Sequence, residues 1–214
     1  MKKIITLSAF AALLACVFSC ETYKVDDPDM TAIHKVDGKY MAFATKDGAT
    51  EPTTIFGIVI TNTTDDADDA GWITISDLDY ASAGLRWSRL FSVRFRVDVD
   101  IKAQTFSASN VAVIEPRTAW NPYYEGAYGS YGSMYTAFYQ WGSFGCTTAS
   151  ISGKVVTDGV DTASGYKADS IEFTYTLNYD DGTSESYTVS GMKKTGWAED
   201  SMEYENWLVE HDLW

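Results

Sequence analysis

The sequence predicts an all-β fold, an antiparallel eight-stranded barrel, with a β-sandwich as the alternative arrangement. Three observations carry this expectation: apolar residues recur with a period of two, Asp-Gly pairs fall between the periodic runs, and no convincing amphipathic helix interrupts them before the C-terminal tail. The clearest run sets Val93, Phe95, Val97, Val99 and Ile101 against Arg94, Arg96, Asp98, Asp100 and Lys102. Alternation of this kind places every apolar side chain on one face of a strand, whereas a helix would scatter them.

In chain order, strands are expected at 39–45, 55–62, 72–79, 93–101, 105–114 and 148–156. The seventh carries Ile171, Phe173, Tyr175, Leu177 and Tyr179, and the eighth carries Tyr187 and Val189 beyond a hairpin turn at Asp181-Gly182. Further turn signals stand at Asp47-Gly48 and Asp158-Gly159. With few helices to cover a sheet, one apolar face per strand is best buried by closing the sheet on itself. The organisation read from the chain is a signal segment over 1–19, a tether over 20–36, the β domain over 37–200 and a tail over 201–214.

The first segment opens with Lys2 and Lys3 and continues from Ile4 to Phe18 without a charge, ending at Ser19-Cys20. Charged, apolar and small-residue parts in that order are those of an export signal, and the apolar run falls short of the roughly 20 residues of a good spanning helix. Val17-Phe18-Ser19-Cys20 resembles the lipobox of bacterial lipoproteins, with Phe18 larger than the usual residue there. That resemblance implies cleavage before Cys20, acylation of its thiol and a lipid anchor on a membrane. Leu13-Leu14-Ala15-Cys16 is a competing box four residues earlier. Acidic residues soon after the cysteine, among them Glu21, Asp26, Asp27 and Asp29, accompany display on the cell exterior in similar lipoproteins of Gram-negative cells.

Loss of residues 1–19 removes two lysines and takes the formal charge from -14 to -16. So acidic a surface repels phosphate backbones and anionic head groups, which argues against nucleic-acid partners. Of the three cysteines only Cys146 remains inside the domain, so no internal disulfide forms. A lone cysteine is more often a small buried hydrophobe than a nucleophile.

Catalytic patterns are scarce. His34 and His211 belong to no metal or nucleophile motif, and Gly129-Ser130-Tyr131-Gly132-Ser133 and Gly142-Ser143-Phe144-Gly145 lack the spacing and setting of a nucleophile elbow. Counted from Asp66, Asp68, Gly71, Ile73 and Asp77 fall at calcium-loop positions. Ala70 replaces a ligand, however, and the following residues read as strand where that motif needs a helix. A solvated acidic loop is the better reading, and no metal site, cofactor or catalytic residue is assigned.

The segment from Trp120 to Phe144 differs in kind, with ten aromatic residues in 25. Trp120, Tyr123, Tyr124, Tyr128, Tyr131, Tyr135, Tyr139 and Trp141 are its candidates for contact with a ligand or partner, interleaved with glycines that let the backbone approach closely. Packing across a barrel mouth, a platform for sugar rings or apolar ligands, and a docking surface are the three readings.

The C-terminal half carries a family resemblance. Ile151-Ser152-Gly153-Lys154-Val155, the run from Gly165 to Phe173, Tyr179-Asp180-Asp181-Gly182 and the run from Val189 to Asp200 resemble the lipid-binding hydrolase family of bacterial lipoproteins, with Asp37-Gly38-Lys39-Tyr40 as its opening strand. The resemblance implies a lipocalin-like barrel whose interior or mouth holds an apolar ligand, and it brings no catalytic set. Gly191 and Gly196 are read as ending the last strand, with Lys193 and Lys194 solvated. The functional expectation is an outer-membrane surface lipoprotein that binds a lipid-like ligand or serves a nutrient-uptake transporter complex. A hydrolase and a carbohydrate-binding lipoprotein are the alternatives.

Overall fold

The computed structural model describes residues 30–77, 92–114 and 145–211. Eight antiparallel strands form a closed barrel in chain order: β1 (Gly38–Lys46), β2 (Thr54–Asn62), β3 (Ala70–Asp77), β4 (Ser92–Asp100), β5 (Thr105–Ala112), β6 (Cys146–Asp161), β7 (Lys167–Tyr179) and β8 (Ser184–Lys193). Closure is made by β1 against β8, with Tyr40 opposite Lys193 and Ala44 opposite Val189. The period-two runs therefore mark the strands, and the barrel is realised over the sandwich because β1 and β8 pair instead of leaving two edges.

Alternation decides what fills the lumen. Phe56, Phe95, Phe106, Phe173 and Tyr175 all point inward and are 0–4% exposed. Their rings touch in sequence around Tyr175: Phe95 stacks on it at 6.0 Å, while Phe56 and Phe173 meet it edge-on at 6.4 Å. Eight strands leave an interior just wide enough for side chains, and here rings and branched aliphatics occupy it. Glycines make the fit possible, and one on β6, Gly153, would with a Cβ stand 2.4 Å from Phe173 Cβ and 2.6 Å from Phe106 Cζ. A Cβ on Gly71 would stand 2.9 Å from Ile33 Cδ1, and one on Gly191 would stand 2.1 Å from the carbonyl oxygen of Met41 and 2.4 Å from Ala42 Cα. Gly191 thus lies within β8 and permits its close pairing with β1; it does not end the strand.

One end of the barrel is plugged. Residues 31–37, within the segment read as tether, form a turn that buries Ile33 and Val36 completely in the core. Tyr40 donates its hydroxyl to the Val36 carbonyl at 3.0 Å, and Thr31 donates to the Asp37 carboxylate. Asp66 accepts from the Ala32 amide and from Asn62 Nδ2, both at 3.0 Å, so this residue of the acidic loop pins the plug.

Asp158-Gly159, read as a turn, lies inside β6. The register against β7 shifts between Val156 and Val160, the mark of a bulge, and Asp158 takes a φ of 52°. Its amide donates to Asp169 Oδ1 at 3.2 Å, which keeps the hairpin paired out to Asp161. The strand outruns the expected 148–156 because one unpaired kink costs less than ending the ladder.

The tail region forms a helix, α1 (Ala198–Glu210), with Asp200, Tyr204 and Leu208 on its buried face. Glu199 and Asp200 in the first turn suit the helix dipole. Tyr204 and Leu208 cover Ile55 on the outside of the barrel, with Met41, Phe43, Met192 and Trp207 around them. Phe43 stacks on Tyr204 at 4.7 Å and meets Trp207 edge-on at 5.9 Å.

Gly191→Ala should lower stability by about 2 kcal/mol or more, since the clash is with backbone that cannot step aside. Urea denaturation checks this, and an unchanged midpoint would contradict the close approach of β1 and β8.

Candidate functional site: an apolar groove under the helix

The site begins with a patterning anomaly in β1. Met41-Ala42-Phe43-Ala44 is apolar on both faces, so the outward pair Met41 and Phe43 needs cover as well as the inward alanines. Helix α1 covers Phe43 but leaves a groove of about 360 Å³ beside it. Met41, Gly57 and Val59 form the strand side, and Tyr204, Leu208 and Glu205 form the helical wall. Gly57 stands on the outward face of β2 between the inward Phe56 and Ile58, so the floor at that point is bare backbone. Mostly apolar lining and a volume in the ordinary range for ligand clefts make this a place for an apolar chain.

Asp200 holds the groove's helical wall in position. Its carboxylate accepts from Thr195 Oγ1 at 2.6 Å, from the Ser164 amide at 2.7 Å and from Ser164 Oγ at 2.9 Å. The first turn of α1 is thereby tied to the β6–β7 hairpin. Burial pushes this carboxyl up, but the hydrogen bonds from Thr195 and Ser164 outweigh it and hold it below the usual range. On the groove wall, burial and the nearby Glu203 push the Tyr204 hydroxyl up to about 12, so it stays a neutral, apolar-faced donor.

Lys39 and Lys194 stand at the groove and are exposed. The Lys194 amide donates to the Lys39 carbonyl at 2.7 Å, which sets the two residues side by side. Lys193, expected to be solvated, is instead half-buried: its ammonium lies 3.3 Å from Asp169 and 6.0 Å from the Tyr40 ring centroid. A second depression, of about 570 Å³, lies over β6, β7 and β8. Ser152, Thr174, Thr188 and Ser190 give it a hydroxyl-rich lining, with the Lys154–Glu172 pair at 3.2 Å. It differs from the first groove in having no helical wall: its lining comes from strand residues alone.

At the barrel end away from the plug, Glu185 gathers three donors: Lys46 Nζ at 2.8 Å, Tyr179 at 3.1 Å and Tyr187 at 3.2 Å. Burial raises the Glu185 carboxyl, yet the Lys46 ammonium and the two phenols win and leave it below its ordinary value. Deeper in the same region, the Tyr175 hydroxyl is buried with no hydrogen-bond partner among the described residues. Cys146 is 5% exposed and its thiol is pushed up to about 11, chiefly by burial. A thiol so protonated at neutral pH is a packing group, not a nucleophile.

The sequence-derived contact candidates Trp120, Tyr123, Tyr124, Tyr128, Tyr131, Tyr135, Tyr139 and Trp141 lie outside the described residues, as does Cys20. The groove residues were not among them. Their available signal was the two-faced apolar stretch of β1, which asks for something outside the barrel. His211 packs on Trp207 at 4.1 Å and His34 bonds the Thr31 carbonyl at 3.1 Å, so both have local structural partners.

A family described as lipid-binding putative hydrolase matches residues 25–198. The chain belongs to this family. Membership in the lipid-binding family supports a lipid-binding role, and the match agrees with the resemblance that the C-terminal motifs and the opening strand at Asp37-Gly38-Lys39-Tyr40 carry. No curated protein matches the chain. Among solved structures, a protein of unknown function from Bacteroides ovatus is similar at 15% identity with a TM-score of 0.36, over 76% of this chain and 43% of that one. The chain therefore spans less than half the length of that protein.

The lowered Glu185 value has a pH signature. Its contribution is fully present above the unfolded glutamate value of about 4.3 and is lost as pH falls through the lower folded value. Glu185→Gln should cost about 1 kcal/mol at pH 7, a figure already discounted for partial exposure. The gap in melting temperature between wild type and variant should close toward pH 3; a gap that stays constant with pH would contradict the charge-assisted cluster.

Proposed function

We propose that this protein is a lipid-anchored outer-membrane lipoprotein, facing the cell exterior, that binds an apolar, lipid-like molecule in the groove between α1 and the barrel wall. The observation that carries the binding reading is the groove itself: about 360 Å³ bounded by Met41, Val59, Tyr204 and Leu208 over the bare backbone of Gly57. The lumen is taken by the protein's own rings, so the described space that suits an acyl chain lies outside it. Family membership points to the same ligand class. The anchor reading rests on the signal-like segment and on the lipobox that ends at Cys20.

Gly57→Leu fills the groove floor and Val59→Gln makes it polar. Each should weaken binding of methyl dodecanoate to the full-length chain by about tenfold or more, the loss expected for blocking or wetting an apolar site. Native mass spectrometry and calorimetric titration read this, and wild-type protein that takes up no apolar probe would overturn the binding reading. For the anchor, Cys20→Ser should move the protein from the membrane to the soluble fraction while Cys16→Ser leaves it membrane-bound. The reverse pattern would place the anchor at Cys16.

A further inference from the structure

We infer that the groove under α1 selects an anionic single-chain amphiphile, a long-chain carboxylate, with Lys39 and Lys194 receiving its head group. This rests on the reading of the groove as the lipid site and adds the chemistry of the ligand's polar end. The described part of the chain contains eight lysines, and four are in ion pairs: Lys46 with Glu185, Lys154 with Glu172, Lys167 with Asp161 and Lys193 with Asp169. In a protein of net charge -14, the other four lysines have no carboxylate partner among the described residues. Lys39 and Lys194 are two of these four, and both line the groove. The other two, Lys35 and Lys102, do not line it.

Backbone geometry brings these ammonium stems together. Lys194 follows directly after β8, Lys39 lies near the start of β1, and the 2.7 Å bond between Lys194 N–H and Lys39 C=O makes them neighbours across the β1–β8 closure. Flexible lysine stems on adjacent residues can converge on one carboxylate with charge-assisted hydrogen bonds, each stronger than a neutral one. Glu205 is the acid on the helical wall, and it accepts a hydrogen bond from Ser201 at 3.1 Å. The lining charge remains positive against an acidic molecule. Past the lysines, Met41 and the bare Gly57 offer an apolar path, so one site presents a cationic mouth and a hydrocarbon floor. A neutral lipid gains only the second of these, and a soluble anion only the first.

Dodecanoate and methyl dodecanoate differ only at the carboxyl end and separate the two parts of the claim. The full-length chain carrying Cys20→Ser, which cannot be acylated there, should bind dodecanoate at least about tenfold tighter than the ester, the discrimination expected of charge-assisted bonds. The double variant Lys39→Met/Lys194→Met should level the two affinities, and raised salt should narrow the gap in wild type. Both lysines are exposed, so the variant is expected to keep its melting temperature, which calorimetry verifies. Equal binding of acid and ester by wild type, or a preference that survives the double variant, overturns the carboxylate assignment and leaves the groove standing. Failure of both probes to bind overturns the groove reading itself.

Discussion

Filling the lumen is the constraint on which the rest of this molecule depends. A sheet of eight strands closed on itself encloses a narrow space, and burying large rings there supplies the apolar contact that a single-layered fold cannot find elsewhere. Phe56, Phe95, Phe106, Phe173 and Tyr175 meet that need, and Ile33 and Val36 stopper one end. Once the interior is spent on packing, the space among the described residues that could receive an apolar chain is on the outer wall. The choice of an outer site over the lumen is thus a consequence of how the core is filled.

The helix turns that consequence into a site. A bare barrel wall bearing Met41, Phe43 and Ile55 would be an exposed apolar strip, a liability for solubility. Laying α1 across it covers Phe43 and Ile55 through Tyr204, Trp207 and Leu208, and the lock at Asp200 fixes where the helix starts. The cover is incomplete above Gly57, where β2 has no side chain to meet the helix. One missing side chain on the strand and one carboxylate lock on the helix together set the width of the groove.

Much of this fold was legible in the sequence because strand alternation is a local signal. The run from Val93 to Ile101 announces β4 by itself, and the Asp181-Gly182 turn sits between β7 and β8 where the hairpin needs it. What was not legible depends on contacts distant in sequence. Ile33 and Val36 look like tether until a barrel end exists to receive them, and Asp158-Gly159 looks like a turn until β7 holds the bulged strand in register. The 198–210 helix carries only a short apolar face, and Tyr204 and Leu208 find their meaning in Met41 and Ile55, far away in the chain. Lys193 read as solvated for the same reason: its partner Asp169 lies on another strand, whereas Lys194 is exposed as expected.

Methyl resonances of the full-length chain titrated with dodecanoate test the account most directly, because Met41 reports the groove while Ile73, Ile75 and Ile171 report the lumen. Saturable shifts at the Met41 methyl with the three isoleucine methyls unmoved are the result the packed lumen predicts. Large shifts at Ile73, Ile75 and Ile171 with Met41 unchanged would mean that the barrel opens to take the ligand inside, and would contradict it.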